Sequence, residues 1–189
     1  MTGKTHQAIG LTVGVGWYLL QANPTYQPAT LAAVTFGASL AALLPDIDTA
    51  GGALYDLLPL GHAVGHVIDP FLKHRNITHS FLGFGLVETG FYFLLKSFPP
   101  YWGIDTHALF VATFLSYASH LLADMFTEEG IPLLFPYPQM FGLPPKPFEH
   151  ARIKTGRWFE NLIIFPAVNV MFITLLIIKF PAIKTILFK

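Results

Sequence analysis

The sequence predicts an all-α fold: a polytopic membrane helical bundle of about five spans plus a surface or re-entrant helix. Three observations predict it. Of 189 residues, 53% are hydrophobic and only 12% charged, with a mean hydropathy of +0.53, whereas a soluble domain carries about 25% charged residues. Apolar stretches recur along most of the chain. Polar residues gather at the ends of those stretches, with few charged outer faces of the kind that soluble core helices present.

The stretches run from about Ala8 to Leu20, Ala29 to Leu44, Phe81 to Leu95, Ala108 to Leu122 and Leu162 to Ile178. Only the last approaches the ~20 apolar residues of a spanning helix. The others cross if their polar ends lie at headgroup depth or face a protein-lined cavity. The segment Met1-Thr-Gly-Lys-Thr-His is too polar to lead into a cleavable apolar signal, so the N-terminus is expected to stay on the protein. The connection over residues 45 to 78 contains Gly51-Gly52 and Pro59-Leu60-Gly61, with an apolar run around Ala53 to Leu72 that reads as the surface or re-entrant helix. Residues 125 to 159 hold Pro132, Pro136, Pro138, Pro144, Pro145 and Pro147, which predict an ordered, mostly non-helical cover. Residues 1–189 read as one domain.

Eleven basic residues balance eleven acidic ones, so no net field recruits nucleic acid, and no basic groove with interleaved aromatics is apparent. With no cysteine, disulfides, thiolate nucleophiles and Cys-type zinc sites are excluded. Any metal must be held by His, Asp or Glu.

The polar motifs follow the parity of membrane crossing. Starts of odd spans and ends of even spans share one face, and all five motifs obey that rule. They are Thr5-His6, Pro45-Asp46-Ile47-Asp48, His74-Arg75 with Thr78-His79-Ser80, Ser119-His120 with Asp124, and Thr155-Gly156-Arg157 with Glu160. His6, Asp46, Asp48, His79, His120, Asp124 and Glu160 are therefore expected at one rim of the bundle. His120 and Asp124 are four apart, so they project from one helix face on adjacent turns. Neutral imidazoles with carboxylates suit Zn²⁺, Mn²⁺ or Fe²⁺ in a hydrolytic site. Asp46 or Asp48 can bridge metals or act as a base. Arg75 suits phosphate oxygens through its planar fork.

Taken singly, each group has an ordinary explanation. A histidine caps carbonyls, Asp46 and Asp48 serve a turn beside proline, Glu160 sits at a helix N-terminus, and Arg75 anchors at the cytoplasmic side. Their joint occurrence favours chemistry, because ionisable groups at membrane depth are costly. His62 and His66 share the i, i+4 spacing but fit an amphipathic surface helix about as well. Glu88, mid-span, reads as structural, either paired or neutral. Asp105 and His107 belong to the opposite, solvated face. His150 lies on the motif face in a loop.

These residues carry a resemblance. Thr5-His6 with Gly10, Leu44-Pro45-Asp46-Ile47-Asp48, His74-Arg75 with Thr78-His79-Ser80, Ser119-His120-Leu121-Leu122 with Asp124, Thr127 and Gly130, and Thr155-Gly156 with Glu160 resemble the YdjM family. These are bacterial and archaeal inner-membrane proteins described as membrane-bound metal-dependent hydrolases, with a distant similarity to zinc-dependent phospholipase C and P1-type nucleases. The resemblance implies that His79, His120 and Asp124 form a first zinc site, with Asp124 bridging, His6 ligating a neighbouring ion and an aspartate of Pro-Asp-Ile-Asp acting as base. The chain lacks the processed N-terminal Trp and the later His and His-x-x-x-Glu ligands of the soluble enzymes. One or two ions, held by His6, Asp48, His79, His120, Asp124 and Glu160, are the expectation.

The functional expectation is a metal-dependent hydrolase cleaving a phosphoester bond in a phospholipid or lipid-linked substrate. Asp46 or Asp48 takes the proton of the attacking water, and Arg75 binds phosphate. Seven of the eleven basic residues lie on the motif face, which favours the cytoplasmic side of the inner membrane. The competing classes are a non-catalytic, metal-stabilised membrane scaffold and an ion-coupled transporter. Transport fits less well, because a transporter places its ionisable groups near the bilayer midplane.

Overall fold

The computed structural model describes residues 1–21, 27–48, 77–97 and 102–187. Among them every named element is helical: α1 (Gly3–Leu20), α2 (Pro28–Ala41), α3 (Phe81–Lys96), α4 (Thr106–Met125), α5 (Phe165–Ile178) and α6 (Phe180–Leu187). Short 3-10 segments occur at Leu44–Asp48, Ile77–His79 and Phe148–Ala151, and a π-helical turn at Glu160–Ile164 runs into α5. Only two isolated bridges, Thr127 with Ile153 and Ile131 with Phe141, interrupt this pattern.

The axis of the bundle is α4, which packs against α1, α2 and α3, while α1 also contacts α2 and α5. Small residues permit this. Gly10 of α1 faces α2 so closely that a Cβ there would stand 2.3 Å from the Ala42 Cβ. One core cluster joins Val15, Tyr18 and Leu19 of α1 to Val34 of α2 and to Ala108 and Ala112 of α4. A second, formed by Ala41, Tyr117, Leu121 and Ile131, lies towards the end of the bundle that carries the polar motifs.

Helix starts follow local chemistry. Pro28 opens α2, where a missing N–H costs nothing. Ser80 caps α3 by accepting from Gly83 N at 3.1 Å, and Asp105 caps α4 by accepting from Ala108 N at 3.0 Å. After α4 the chain turns into the proline-rich cover, which Arg152 ties together by donating to the carbonyls of Pro144 (2.8 Å) and Gly142 (3.1 Å).

Of the roughly five spans expected, helix length and composition support two among the described residues. Two described helices are long and apolar enough to cross a membrane by length and composition, Thr106–Met125 and Glu160–Ile178. At 14 and 16 residues, α2 and α3 rise only about 21 and 24 Å. The reason is local. Pro45 and Asp46 turn the end of α2 into a 3-10 segment and Ser80 fixes the start of α3, so residues near the site are withdrawn from the helices. In α1, Lys4, Thr5, His6 and Gln7 stay helical but fill the first turns with polar side chains. The surface or re-entrant helix expected over Ala53 to Leu72 lies outside the described residues, as do His62, His66 and Arg75.

Candidate metal centre

Five of the motif residues meet at one end of the bundle. His6 comes from the second turn of α1, Asp46 from the 3-10 segment after α2, His79 from the 3-10 segment before α3, and His120 and Asp124 from the last turns of α4. His6, His79 and His120 are fully buried and Asp124 nearly so. The Asp46 side chain is 17% exposed against 2% for Asp124, so Asp46 forms the mouth of the cluster.

The separations have the scale of a coordination sphere. His79 Nε2 lies 3.3 Å from His120 Nε2, 3.5 Å from Asp46 Oδ1 and 3.6 Å from Asp124 Oδ2. His120 Nε2 lies 3.8 Å from both Asp46 Oδ1 and Asp124 Oδ2. Two donors each about 2.1 Å from one tetrahedral ion stand roughly 3.4 Å apart. Atoms of His79, His120 and Asp46 thus stand at separations close to those of donors around a single ion, with Asp124 Oδ2 a further oxygen near both histidines.

The other oxygen of Asp124 faces a different way. Its Oδ1 lies 3.0 Å from His6 Nε2 and contacts the Met1 amino group. His120 is common to two donor groups, His6–His120–Asp124 and Asp46–His79–His120, whose ligand atoms lie within 4.8 Å of one another in each, and Asp124 Oδ2 approaches the second group at His79 and His120. The His6 and His120 rings stack at 3.6 Å with 14° between planes. Neither ring nitrogen of the buried His6 makes a hydrogen bond of good geometry, although Nε2 faces Asp124 Oδ1. Buried polar atoms are nearly always satisfied, and a divalent cation would satisfy both His6 Nε2 and the oxygens beside it. The donor set therefore fits a metal.

Surrounding groups fix the ligand atoms. His120 Nδ1 donates to the Ala42 carbonyl at 2.7 Å, because a carbonyl only accepts. The neutral ring then turns the lone pair of Nε2 towards the cluster. Tyr117 donates to the Thr78 carbonyl at 2.7 Å, one residue before His79, and Thr127 donates to the Asp124 carbonyl at 2.7 Å. Burial pushes the Asp46 carboxyl up in pKa, but its hydrogen bond to His79 and the fields of His120, His6 and His79 outweigh burial. The result lies well below the usual carboxylate range.

Glu160 stands in neither donor group. Its Oε1 accepts from Thr2 N and Thr2 Oγ1, each at 2.7 Å, and its Oε2 accepts from Gly156 N at 2.7 Å. Gly156 supplies that N–H from a left-handed conformation, φ +72°, which glycine adopts at little cost. Both carboxylate oxygens are thus engaged: Oε1 ties the start of the last long helix to the N-terminal end of α1, and Oε2 fixes the turn that leads into that helix. Asp48 ends the Leu44–Asp48 segment, and its side chain lies outside the described part. His150 is exposed in the Phe148–Ala151 segment and His107 is exposed at the start of α4. Glu88 is buried on α3 facing a cleft with Gly37, Leu44 and Thr113.

Ala42, Tyr117 and Thr2 were not foreseen from sequence. Their contributions run through backbone atoms or across 39 to 158 positions, which motif spacing does not encode. Gly10 carried a signal, as a small residue one turn beyond His6.

A buried histidine–aspartate centre at one end of an all-helical bundle, beside an apolar helix with no buried residue over Phe165–Ile178, defines a helical protein of membrane type with a candidate metal site. The chain belongs to the YdjM inner membrane protein family, whose description matches residues 1–186. It is 35% identical over 150 residues to the inner membrane protein YdjM of Escherichia coli (strain K12), covering 76% of this chain and 70% of that protein. The Shigella flexneri protein of the same name matches equally. YvsG of Bacillus subtilis (strain 168) is 29% identical over 167 residues, 87% of this chain and 88% of its own. No solved structure matches the chain.

Proposed function

We propose that the chain is a multi-pass inner-membrane, metal-dependent hydrolase that cleaves a phosphoester bond in a phospholipid or lipid-linked substrate. One observation carries the reading: the two oxygens of Asp124 face His6 on one side and the His79–His120 pair on the other, while Asp46 alone among these residues is more than marginally exposed. His79, His120 and Asp124 would hold the first ion, and His6 with the second oxygen of Asp124 would hold a neighbouring one, most readily Zn²⁺, with Mn²⁺ or Fe²⁺ as substitutes. A bound divalent ion supplies Lewis acidity and an acidified water. Asp46, ionised and at the mouth, accepts the proton of the attacking water. Asp48 and Arg75 are assigned from sequence alone, as a second carboxylate and as the group that binds phosphate oxygens. Glu160, with both oxygens engaged, is assigned a positioning role in place of ligation.

In this reading α1, α2 and α3 cross the membrane with their polar ends at headgroup depth, and the centre faces the cytoplasm. The substrate is a lipid already in the bilayer; nucleic acid is not expected.

A second reading is favoured by the burial of the donor set. A fully ligated ion shut off from water is a structural one, so a metal-stabilised scaffold uses the same residues. Metal analysis of the purified protein, coupled to phospholipid and phosphomonoester hydrolysis, separates the two. The hydrolase reading expects stoichiometric metal and turnover in the wild type, with both lost in Asp124→Ala. Stoichiometric metal without turnover on any substrate selects the scaffold, and no metal under any loading condition overturns both.

A further inference from the structure

A second polar feature lies outside the histidine–aspartate centre, in the segment that leads into the last long helix. There Arg152, Lys154, Arg157, Trp158 and Phe159 line a groove of about 590 Å³ that contains no acidic lining residue. The three cations are differently committed. The Arg152 guanidinium is spent on the carbonyls of Pro144, Gly142 and Glu128. Lys154 Nζ lies 3.5 Å from Glu128 Oε1 in a pair whose side chains are 62% and 44% exposed, which is worth little. The Arg157 guanidinium is exposed and makes no hydrogen bond or ion pair with a described residue.

The aromatics give the groove its level. Trp158 is 68% exposed and Phe159 42%, with their rings edge to face at 5.6 Å. Immediately beyond them begins Glu160–Ile178, a helix of spanning length whose Leu162, Ile163, Val170, Met171 and Ile177 are all half or more exposed. Exposed Trp at the foot of an apolar helix marks the boundary between headgroups and hydrocarbon. Free cations at that depth face lipid phosphates.

We propose that this groove binds the phosphate of an anionic bilayer phospholipid. Arg157 donates to two phosphate oxygens through its planar fork. Lys154 supplies the second charge, released from its weak pair with Glu128. Trp158 and Phe159 lie against the glycerol and upper acyl region. The absence of a lining carboxylate selects an anionic headgroup over one with an ammonium to be neutralised. The site is independent of the metal centre and of the hydrolase reading.

The test uses the full chain in lipid nanodiscs of phosphatidylcholine with and without phosphatidylglycerol, followed by native mass spectrometry of retained lipid. The wild type should retain phosphatidylglycerol preferentially. In the double variant Lys154→Gln/Arg157→Gln the preference should fall by about fivefold per cation removed, with melting temperature and metal content unchanged. Inorganic phosphate at millimolar concentration should not displace the lipid. Equal retention of the two lipids by the wild type, or an undiminished preference in the variant, would overturn the proposal. Full displacement by inorganic phosphate would also overturn it, by assigning the groove to free phosphate.

Discussion

Thr2 and Glu160 stand 158 positions apart and are joined by two 2.7 Å hydrogen bonds, from the Thr2 N–H and from its hydroxyl. Four residues after Thr2 comes His6, so the carboxylate that anchors the start of the last long helix also sets where His6 enters the cluster. Glu160→Gln places an amide donor among three N–H and O–H donors. Metal affinity should fall 10- to 100-fold, the usual effect of losing a group that orients a ligand. The visible spectrum of the Co²⁺-loaded protein should keep its band positions at saturating metal. A changed ligand field would instead make Glu160 a ligand.

Asp46 and Asp124 should separate by what they lose. Asp124→Asn alters a carboxylate whose two oxygens face His6 on one side and His79 and His120 on the other, and should abolish stoichiometric metal. Asp46→Asn removes a more exposed oxygen, with His79, His120 and Asp124 left in place. Equilibrium dialysis should find metal retained with weakened affinity, while hydrolysis falls by at least 10²-fold, the lower range for loss of a general base. Equal loss of metal in both variants would assign Asp46 to ligation and remove it as the base.

Gly10→Ala tests the support beneath His120. The added methyl would stand 2.3 Å from the Ala42 Cβ, and the Ala42 carbonyl accepts from His120 Nδ1. Forcing α1 and α2 apart should cost about 1–3 kcal/mol, read as a lowered melting temperature. It should also weaken metal binding, whereas Gly90→Ala, with open space around it, should do neither.

Metal binding should depend on pH through the imidazoles. Ligation needs neutral rings, so affinity should fall as pH is lowered from about 7 to about 5. Asp46, held well below the usual carboxylate range, stays ionised across that window. Carboxylates of this kind contribute stability above their unfolded pKa and lose it only as pH falls through the lowered folded value. A metal-binding midpoint near 4 would point to carboxylate protonation instead. Isothermal titration at several pH values decides this.

Much of the site was legible in the sequence because helix ends obey parity. The i, i+4 spacing of His120 and Asp124 placed two donors on one face, and crossing direction brought His6, Asp46 and His79 to the same end. What spacing could not supply was the shell around them. The carbonyl that fixes His120 belongs to Ala42, a residue with no polar side chain. Glu160 has the composition of a ligand, and only its three hydrogen bonds reveal a latch. The start of α3 at Phe81, behind its Ser80 cap, was legible too, whereas the end of α2 at Ala41 was placed three residues late, because hydropathy does not register the turn that precedes Pro45.

The unequal helix lengths bear on the membrane as well as on the protein. If α2 and α3 cross as proposed, their rise of about 21 to 24 Å falls short of a hydrocarbon core of roughly 30 Å. Hydrophobic mismatch of that sign is relieved by thinning the bilayer locally. The leaflet beside α2 and α3 would then be dimpled, lowering headgroups and water towards Asp46, while the longer last helix holds the undisturbed thickness on its own flank. On this view the protein shapes the lipid surface from which its substrate is drawn.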